Sequence, residues 1–257
     1  MKKYLMTACA VVLIQNVAFA TPKPSYNWAA IQDGVNYARI VYNNGDNDTN
    51  VFIHAFQIDP SKVSFDVLVA GDTNPQGLSA KSFAKNANAN LVINGGFFTE
   101  EHKSIGLLVR SGKILNPKHN TSWWSIFGIK NSTPFITKLS DYVNSDEVLM
   151  AVQAGPRLVI DGEIPKLKPG ISIRSAVGIT KDNKVMIVIT DGSLISLNEL
   201  AQRMKLSRYE HGLECIQAMA LDGGSSSQLY AKIGEFEFSI SGLVTVPNAI
   251  AVYTKEK

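Results

Sequence analysis

From Val51 onward the chain is a succession of short apolar runs, each soon stopped by glycine, asparagine or aspartate. Such a chain has no room for long helices, so it must bury its apolar residues mainly by pairing short strands. Strands are expected at Val51 to Phe56, at Val63 to Val69 with its period-two alternation, and at Leu91 to Ile93. Hairpins are expected where Ser111-Gly112 joins Gly106–Arg110 to Lys113–Leu115, and where Asp161-Gly162 comes after Arg157–Ile160. A third joins Ala176–Thr180 to Val185–Thr190, and further strands are expected at Ile216 to Leu221 and Asn248 to Tyr253. Helical patterns occur at Ser79 to Asn88 and at Leu197 to Leu206, the latter behind a Ser196/Glu199 capping box. The expected class is α+β: one domain with a mixed, mostly antiparallel β-sheet, hairpins and two or more covering helices.

Lys2-Lys3, an apolar run and Ala18-Phe19-Ala20 read as a secretory signal peptide over residues 1–20, cut after Ala20. Residues 21–50 are rich in Pro, Asn, Gly and Asp, and read as a loose N-terminal segment with one strand, Tyr37 to Tyr42, ahead of a domain at 51–257. The net charge of +3 falls close to neutral once Lys2 and Lys3 are removed. No long basic run marks a nucleic-acid surface, and no further apolar stretch is long enough to cross a bilayer. Cleavage also removes Cys9, so Cys215 has no internal disulfide partner and is expected as a small buried residue. Export without a disulfide fits a periplasmic or secreted protein.

Three apolar strands run directly into polar residues and then glycine: Asn94-Gly95-Gly96, Asp191-Gly192 and Asp222-Gly223-Gly224-Ser225-Ser226-Ser227. Glycine there lets a ligand approach the main chain, and strand ends on an open rim are common places for sites. The Gly-Gly-Ser run offers amides and hydroxyls suited to an anion, and Arg174 adds a guanidinium able to grip a phosphate. Gly155-Pro156-Arg157 lines a cleft or closes a hairpin. Of Trp123-Trp124, at most one is free to stack on a sugar, because neighbours in a strand point to opposite faces. His54, His102, His119 and His211 have no zinc-ligand spacing, and there is neither a G-x-S-x-G elbow nor a P-loop. A divalent cation near Asp191 or Asp222 has no support from ligand spacing, so no cofactor is expected.

In order and spacing, these motifs resemble the phosphodiester glycosidase family, which includes the domain of the mammalian mannose-6-phosphate uncovering enzyme. The matching elements begin with Asn94 to Phe98, the Gly106 to Lys113 hairpin and Gln153 to Val159. They continue with Arg174 to Gly178, Asp191-Gly192, Leu197 to Met204 and Leu221 to Ser226. Two positions depart from the family pattern. Ser225 stands where a third glycine is usual, and Ser175 where a threonine is. The resemblance implies hydrolysis of a sugar-1-phosphodiester, small or polymer-linked, to sugar and phosphomonoester. It implies Asp222 as base or nucleophile, with Asp191 as the second carboxyl group or a ligand for sugar hydroxyls. It further implies that Arg174 and the Gly223, Gly224 and Ser225 amides hold the phosphate, with Asn94, Gly95 and Ser226 completing the substrate site. A non-catalytic binding module for sugar phosphates or polysaccharide, and an accessory factor in envelope polymer assembly, remain as alternatives.

Overall fold

The computed structural model describes residues 23–43, 50–71 and 74–254. The expected signal peptide lies outside the described residues. In chain order the strands are β1 (Ala29–Gln32), β2 (Val35–Asn43), β3 (Asn50–Ile58), β4 (Val63–Val69), β5 (Leu91–Asn94), β6 (Leu108–Arg110), β7 (Lys113–Asn116), β8 (Ser125–Lys130), β9 (Thr133–Lys138) and β10 (Val148–Ala154). They continue with β11 (Arg157–Val159), β12 (Ile171–Ser172), β13 (Ser175–Thr180), β14 (Val185–Thr190), β15 (Ile195–Ser196), β16 (Cys215–Ala220), β17 (Leu229–Ile233), β18 (Phe236–Ile240) and β19 (Asn248–Thr254). Helix α1 (Ala80–Ala87) precedes β5, and α2 (Leu197–Lys205) comes directly after β15.

One sheet has seven strands, ordered β1-β2-β3-β14-β13-β16-β11. Two five-stranded sheets, β18-β17-β5-β19-β4 and β7-β6-β10-β8-β9, pack with it around one large core. Period-two alternation divides each strand between layers. On β3, Phe56 and Ile58 enter that central core beside Ile93, Phe127, Met150 and Ile250. Ile53 and Ala55 face the other way, into a second core capped by Leu200, Ala201 and Met204 of α2. Helix α1 covers the outer face of the sheet containing β5 with Phe83 and Ala84.

Both helices start as their sequences predict. Ser79 Oγ accepts the Ser82 N–H at 3.1 Å, and Ser196 Oγ accepts the Glu199 N–H at 3.0 Å. The Glu199 carboxylate accepts the Tyr42 hydroxyl at 2.8 Å, tying α2 to β2. Cys215 is buried in the α2-side core, as its apolar neighbours suggest.

Three expectations are corrected. Every named strand pairing is antiparallel, and with only two α-helices among the described residues the chain is largely β rather than α+β. Within the segment read as loose, residues 29–43 are ordered into strands: β1 and β2 form a hairpin, and β2, which contains the expected strand Tyr37 to Tyr42, pairs with β3 from Val35 to Asn43. Its polar composition hides a buried stripe of Val35, Ala38, Ile40 and Tyr42. Finally, Arg157–Ile160 does not pair as a hairpin across Asp161-Gly162, beyond a single Ile160–Glu163 bridge; β11 pairs with β16 instead.

The α2 layer leaves no spare volume over β13. A Cβ at Gly178 would lie 2.6 Å from both the Cys215 Sγ and the Met204 Cε. Gly178→Ala is therefore expected to cost about 1–3 kcal/mol through overpacking. Urea unfolding should show a lower midpoint with an unchanged slope.

Candidate functional site

The ends of β5 and β16 meet across two sheets, and Asn94 rivets them together. Its side chain is fully buried, with Nδ2 donating to the Asp222 carbonyl at 2.7 Å. Oδ1 accepts the Ser175 hydroxyl at 2.8 Å and the Gln228 N–H at 3.2 Å. The Asp222 N–H in turn donates to the Gly95 carbonyl at 3.1 Å. Asn94 thus has no surface to offer a sugar; it positions the loop that carries Asp222. Gly95 and Gly96 are held just as closely from β19. The Gly96 N–H donates to Asn248 Oδ1 at 2.8 Å, and a Cβ at Gly95 would lie 2.1 Å from that same oxygen. Here the glycines serve close packing of backbone on an Asn side chain.

Asp222 begins the turn that ends the strand. Its Oδ1 accepts the Gly223 N–H at 3.0 Å, and the Ser226 hydroxyl bonds the same carboxyl group. Burial pushes its pKa above the usual carboxylate range, while the Ser226 and Gly223 bonds pull against that shift. The Gly224 N–H is spent on the Ile173 carbonyl at 2.8 Å. Two of the amides expected to hold a phosphate are thus engaged within the fold: those of Gly223 and Gly224 shape the turn and orient Asp222. Ser225 is exposed, whereas Ser226 is buried against Asp222.

Arg174 comes to this turn from the start of β13. Its Nε donates to the Ile195 carbonyl at 3.1 Å and its Nη2 to the Gly170 carbonyl at 2.8 Å. Its remaining nitrogen, Nη1, faces Gly223, and would lie 3.9 Å from a Cβ there. A half-buried guanidinium held by two carbonyls is a fixed cation beside the Asp222 turn.

Asp191 lies apart from this group. It stands at the end of β14, which β13 separates from β16, and its side chain is 54% exposed. It turns toward His54, with 3.5 Å between Oδ2 and Nε2. His54 Nδ1 lies 2.7 Å from the Tyr37 hydroxyl, and burial lowers the His54 pKa despite the neighbouring carboxylate. The hydrogen-bond partners of the Asp222 carboxyl group are Gly223 and Ser226, not Asp191. Sequence reasoning missed His54, Tyr37, Gln228 and Asn248. They lie far from the motifs in sequence or outside their conspicuous residues, and nothing in their local pattern marks them.

Beside the rim is a cavity of about 930 Å³ whose walls include Trp123, Trp124, Pro156 and Arg157. Gly155-Pro156-Arg157 thus lines a cleft; its first peptide bond is cis. Phe97, just past the Asn94-Gly95-Gly96 turn, stacks on Trp124 with centroids 4.7 Å apart. Both tryptophans precede β8, Trp123 in a turn; Trp124 is 8% exposed and Trp123 51%, so the first is packed in the wall while the second, edge-on to Trp124 at 5.5 Å, stays largely exposed. No cluster of three or more His, Cys, Asp or Glu residues fit for a metal ion occurs among the described residues.

A family model described as phosphodiester glycosidase matches residues 87–253, from the end of α1 into the last strand. An uncharacterized Escherichia coli K12 protein, YigE, is 26% identical over 168 residues, which are 61% of this chain and 63% of that protein. Among solved structures, the zebrafish N-acetylglucosamine-1-phosphodiester alpha-N-acetylglucosaminidase catalytic domain aligns with a TM-score of 0.63 at 16% identity. That alignment covers 92% of this chain and 86% of the zebrafish one. A hypothetical protein from Synechocystis gives a TM-score of 0.61 at 16% identity, covering 91% of this chain and 64% of its own. At such identities the two structural likenesses establish the fold.

Proposed function

Because this chain belongs to the phosphodiester glycosidase family, we propose that it is an exported hydrolase that cleaves the glycosidic bond of a sugar-1-phosphodiester. The products are the free sugar and a phosphomonoester. The observation that carries this reading is the Asp222 turn: a half-buried carboxyl group fixed by Gly223 and Ser226, with the Arg174 guanidinium facing Gly223 of the same turn.

In the proposed mechanism, Arg174 Nη1 binds a non-bridging phosphate oxygen and orients the phosphodiester. The sugar C1–O bond breaks through an oxocarbenium-like state, and charge gathers on the departing phosphate, where the guanidinium stabilises it. Asp222 acts as acid–base: it protonates the departing phosphate oxygen, then takes a proton from the water that adds at C1 to give the free sugar. Its raised pKa keeps a proton available nearer neutral pH than an ordinary carboxylate would. That property suits proton transfer better than nucleophilic attack, which needs the ionised form. Asp191, exposed at the end of β14, is assigned to sugar hydroxyls. Asn94 and Gln228 take no part in bond breaking; they hold the loop.

A panel of sugar-1-phosphodiesters incubated with the protein tests this reading. Free sugar should be released from at least one substrate. Arg174→Ala should lower kcat/KM by roughly 10–100-fold, the value of a charge-assisted hydrogen bond. Ligand-induced upward shifts in melting temperature without release of sugar from any substrate would instead favour a binding module.

A further inference from the structure

Strand β3 gives Ile58 and Phe56 to the central core, and the next residue on that face is His54. A histidine is out of place in such a row. It is 3% exposed, and Phe238 of β18 covers its ring with centroids 4.4 Å apart. It has no part in the bond breaking assigned to Asp222. On β14, Ile189 stands opposite His54, and Asp191 comes two residues later on the same side.

One arrangement of protons accounts for both ring nitrogens. Nδ1 lies 2.7 Å from the Tyr37 hydroxyl. Burial pushes the Tyr37 pKa above that of an ordinary phenol, and it lowers that of His54 although the Asp191 carboxylate pulls the other way. The phenol therefore keeps its proton, and the imidazole is neutral with a single N–H to place. Nε2 is buried, makes no hydrogen bond, and faces Asp191 Oδ2 at 3.5 Å. With the proton on Nδ1, the Nε2 lone pair would point at a carboxylate. With the proton on Nε2, Tyr37 donates to Nδ1 and the Nε2–H points at an acceptor. The charged groups acting on the ring are Asp191, at the end of β14, and Arg39 of β2, whose guanidinium lies 4.6 Å from the Phe52 ring centroid. Tyr37 is itself fixed, with Phe236, Phe56 and Phe238 centred 5.0, 5.2 and 5.8 Å from its ring.

The backbone of Asp191 is clamped to the same strand as His54. Its N–H donates to the Phe52 carbonyl at 3.0 Å, and the Phe52 N–H donates to Ser193 Oγ at 3.0 Å. The Ser193 hydroxyl closes the loop on the Asp191 carbonyl at 3.2 Å. One residue earlier, Thr190 is joined to Arg174: its N–H donates to the Arg174 carbonyl and its Oγ1 accepts the Arg174 N–H, each at 2.9 Å. Asp191 thus has a fixed main chain next to the strand start that carries Arg174. Its side chain is half exposed and meets the fold at His54.

We infer that His54 is a positioning residue for the candidate site: with Tyr37 holding its proton on Nε2, it turns the Asp191 carboxylate into a single orientation. That the carboxylate then receives sugar hydroxyls rests on the glycosidase reading. The tautomer and its carboxylate partner are measurable without turnover.

The test has two arms. In the first, NMR of protein labelled with 15N-histidine, with His54 assigned by the signal lost in His54→Gln, should show a neutral imidazole protonated on Nε2 at neutral pH. Its Nε2 proton should exchange with solvent roughly tenfold faster in Asp191→Ala, where the acceptor is gone. A proton on Nδ1, an imidazolium at neutral pH, or unchanged exchange in Asp191→Ala would overturn the inference. The second arm uses the phosphodiester that yields most free sugar. Tyr37→Phe, which keeps the ring, and His54→Leu, which fills the space without an N–H, should each lower kcat/KM by roughly 3–10-fold. His54→Gln, which keeps a side-chain N–H, should recover most of the His54→Leu loss. In an Asp191→Ala background the same changes should cost nothing further, because they act through that carboxylate. Equal losses with and without the Asp191 carboxylate would show a merely structural His54 and overturn the inference. Thermal melts confirm that each variant folds. No turnover of any phosphodiester, with the Nε2 proton and its dependence on Asp191 as expected, would fail the glycosidase reading alone.

Discussion

Asp222→Asn is expected to lower kcat by about 10²–10⁴-fold, the usual worth of a positioned acid–base group, and at the same time to raise the melting temperature at neutral pH. The two effects have one cause. Burial makes the ionised Asp222 carboxylate unfavourable, so the folded chain holds this proton to higher pH than the unfolded chain does. Between the unfolded carboxylate value of about 3.9 and the raised folded pKa, stability falls as pH rises, and above the folded pKa the cost is fully present. Asparagine is uncharged at every pH and keeps an oxygen to accept the Gly223 N–H. The gain in melting temperature should therefore be present at pH values above the folded pKa and absent below the unfolded carboxylate range. Thermal melts of wild type and variant across that pH range, together with turnover of the best phosphodiester, decide the matter. Full turnover in the variant, or a melting shift that ignores pH, would remove Asp222 from its assigned role.

Asn94→Ala is expected to act in the opposite direction on stability. It strips a fully buried side chain of three hydrogen bonds, leaving the Gln228 N–H, the Asp222 carbonyl and the Ser175 hydroxyl without that partner. Each buried group left unsatisfied costs roughly 1–3 kcal/mol, so about 3–9 kcal/mol in all is expected. That is a large share of the roughly 5–15 kcal/mol that holds an ordinary domain folded. Denaturant unfolding should show the loss. Turnover should fall too, even at temperatures where the variant remains folded, because the Asp222 loop loses its anchor. Asn94→Asp separates the two functions. It keeps the acceptor for Ser175 and Gln228, loses the donor to Asp222, and adds a carboxyl group next to a buried one. Unchanged stability in Asn94→Ala would show that the three contacts are not those that join the sheets.

Three residues of the candidate site were singled out by residue type. Asn94, Asp222 and Arg174 stand in the ordered motifs, and the structure brings all three to one turn. Their roles were less legible than their places. A side-chain amide at a strand end looks equally like a ligand or a rivet. The choice depends on Ser175 and Gln228, which reach Asn94 from 81 and 134 residues away. The Gly223 and Gly224 amides look free in sequence; one is taken by Asp222 itself and the other by Ile173. Of the β1–β2 hairpin only the Tyr37 to Tyr42 strand was legible: Asp33-Gly34 separates the two strands, Asn36 and Arg39 interrupt the buried stripe, and pairing with β3 outweighs that local composition.

What the sequence by itself determined is local: the two capped helices, the period-two strands, the glycine-stopped ends and the ordered motif set of the family. Each depends on neighbours a few residues apart, through backbone freedom, capping oxygens and alternation of faces. Only the tertiary structure decided that Asp191 turns to His54 while Asp222 is half-buried in a turn that Arg174 faces. It alone decided that Trp123 stays exposed where Trp124 is buried. The physical reason is that burial, and with it the shift of a pKa or the satisfaction of a donor, is set by which sheets stack. Those partners come from distant parts of the chain.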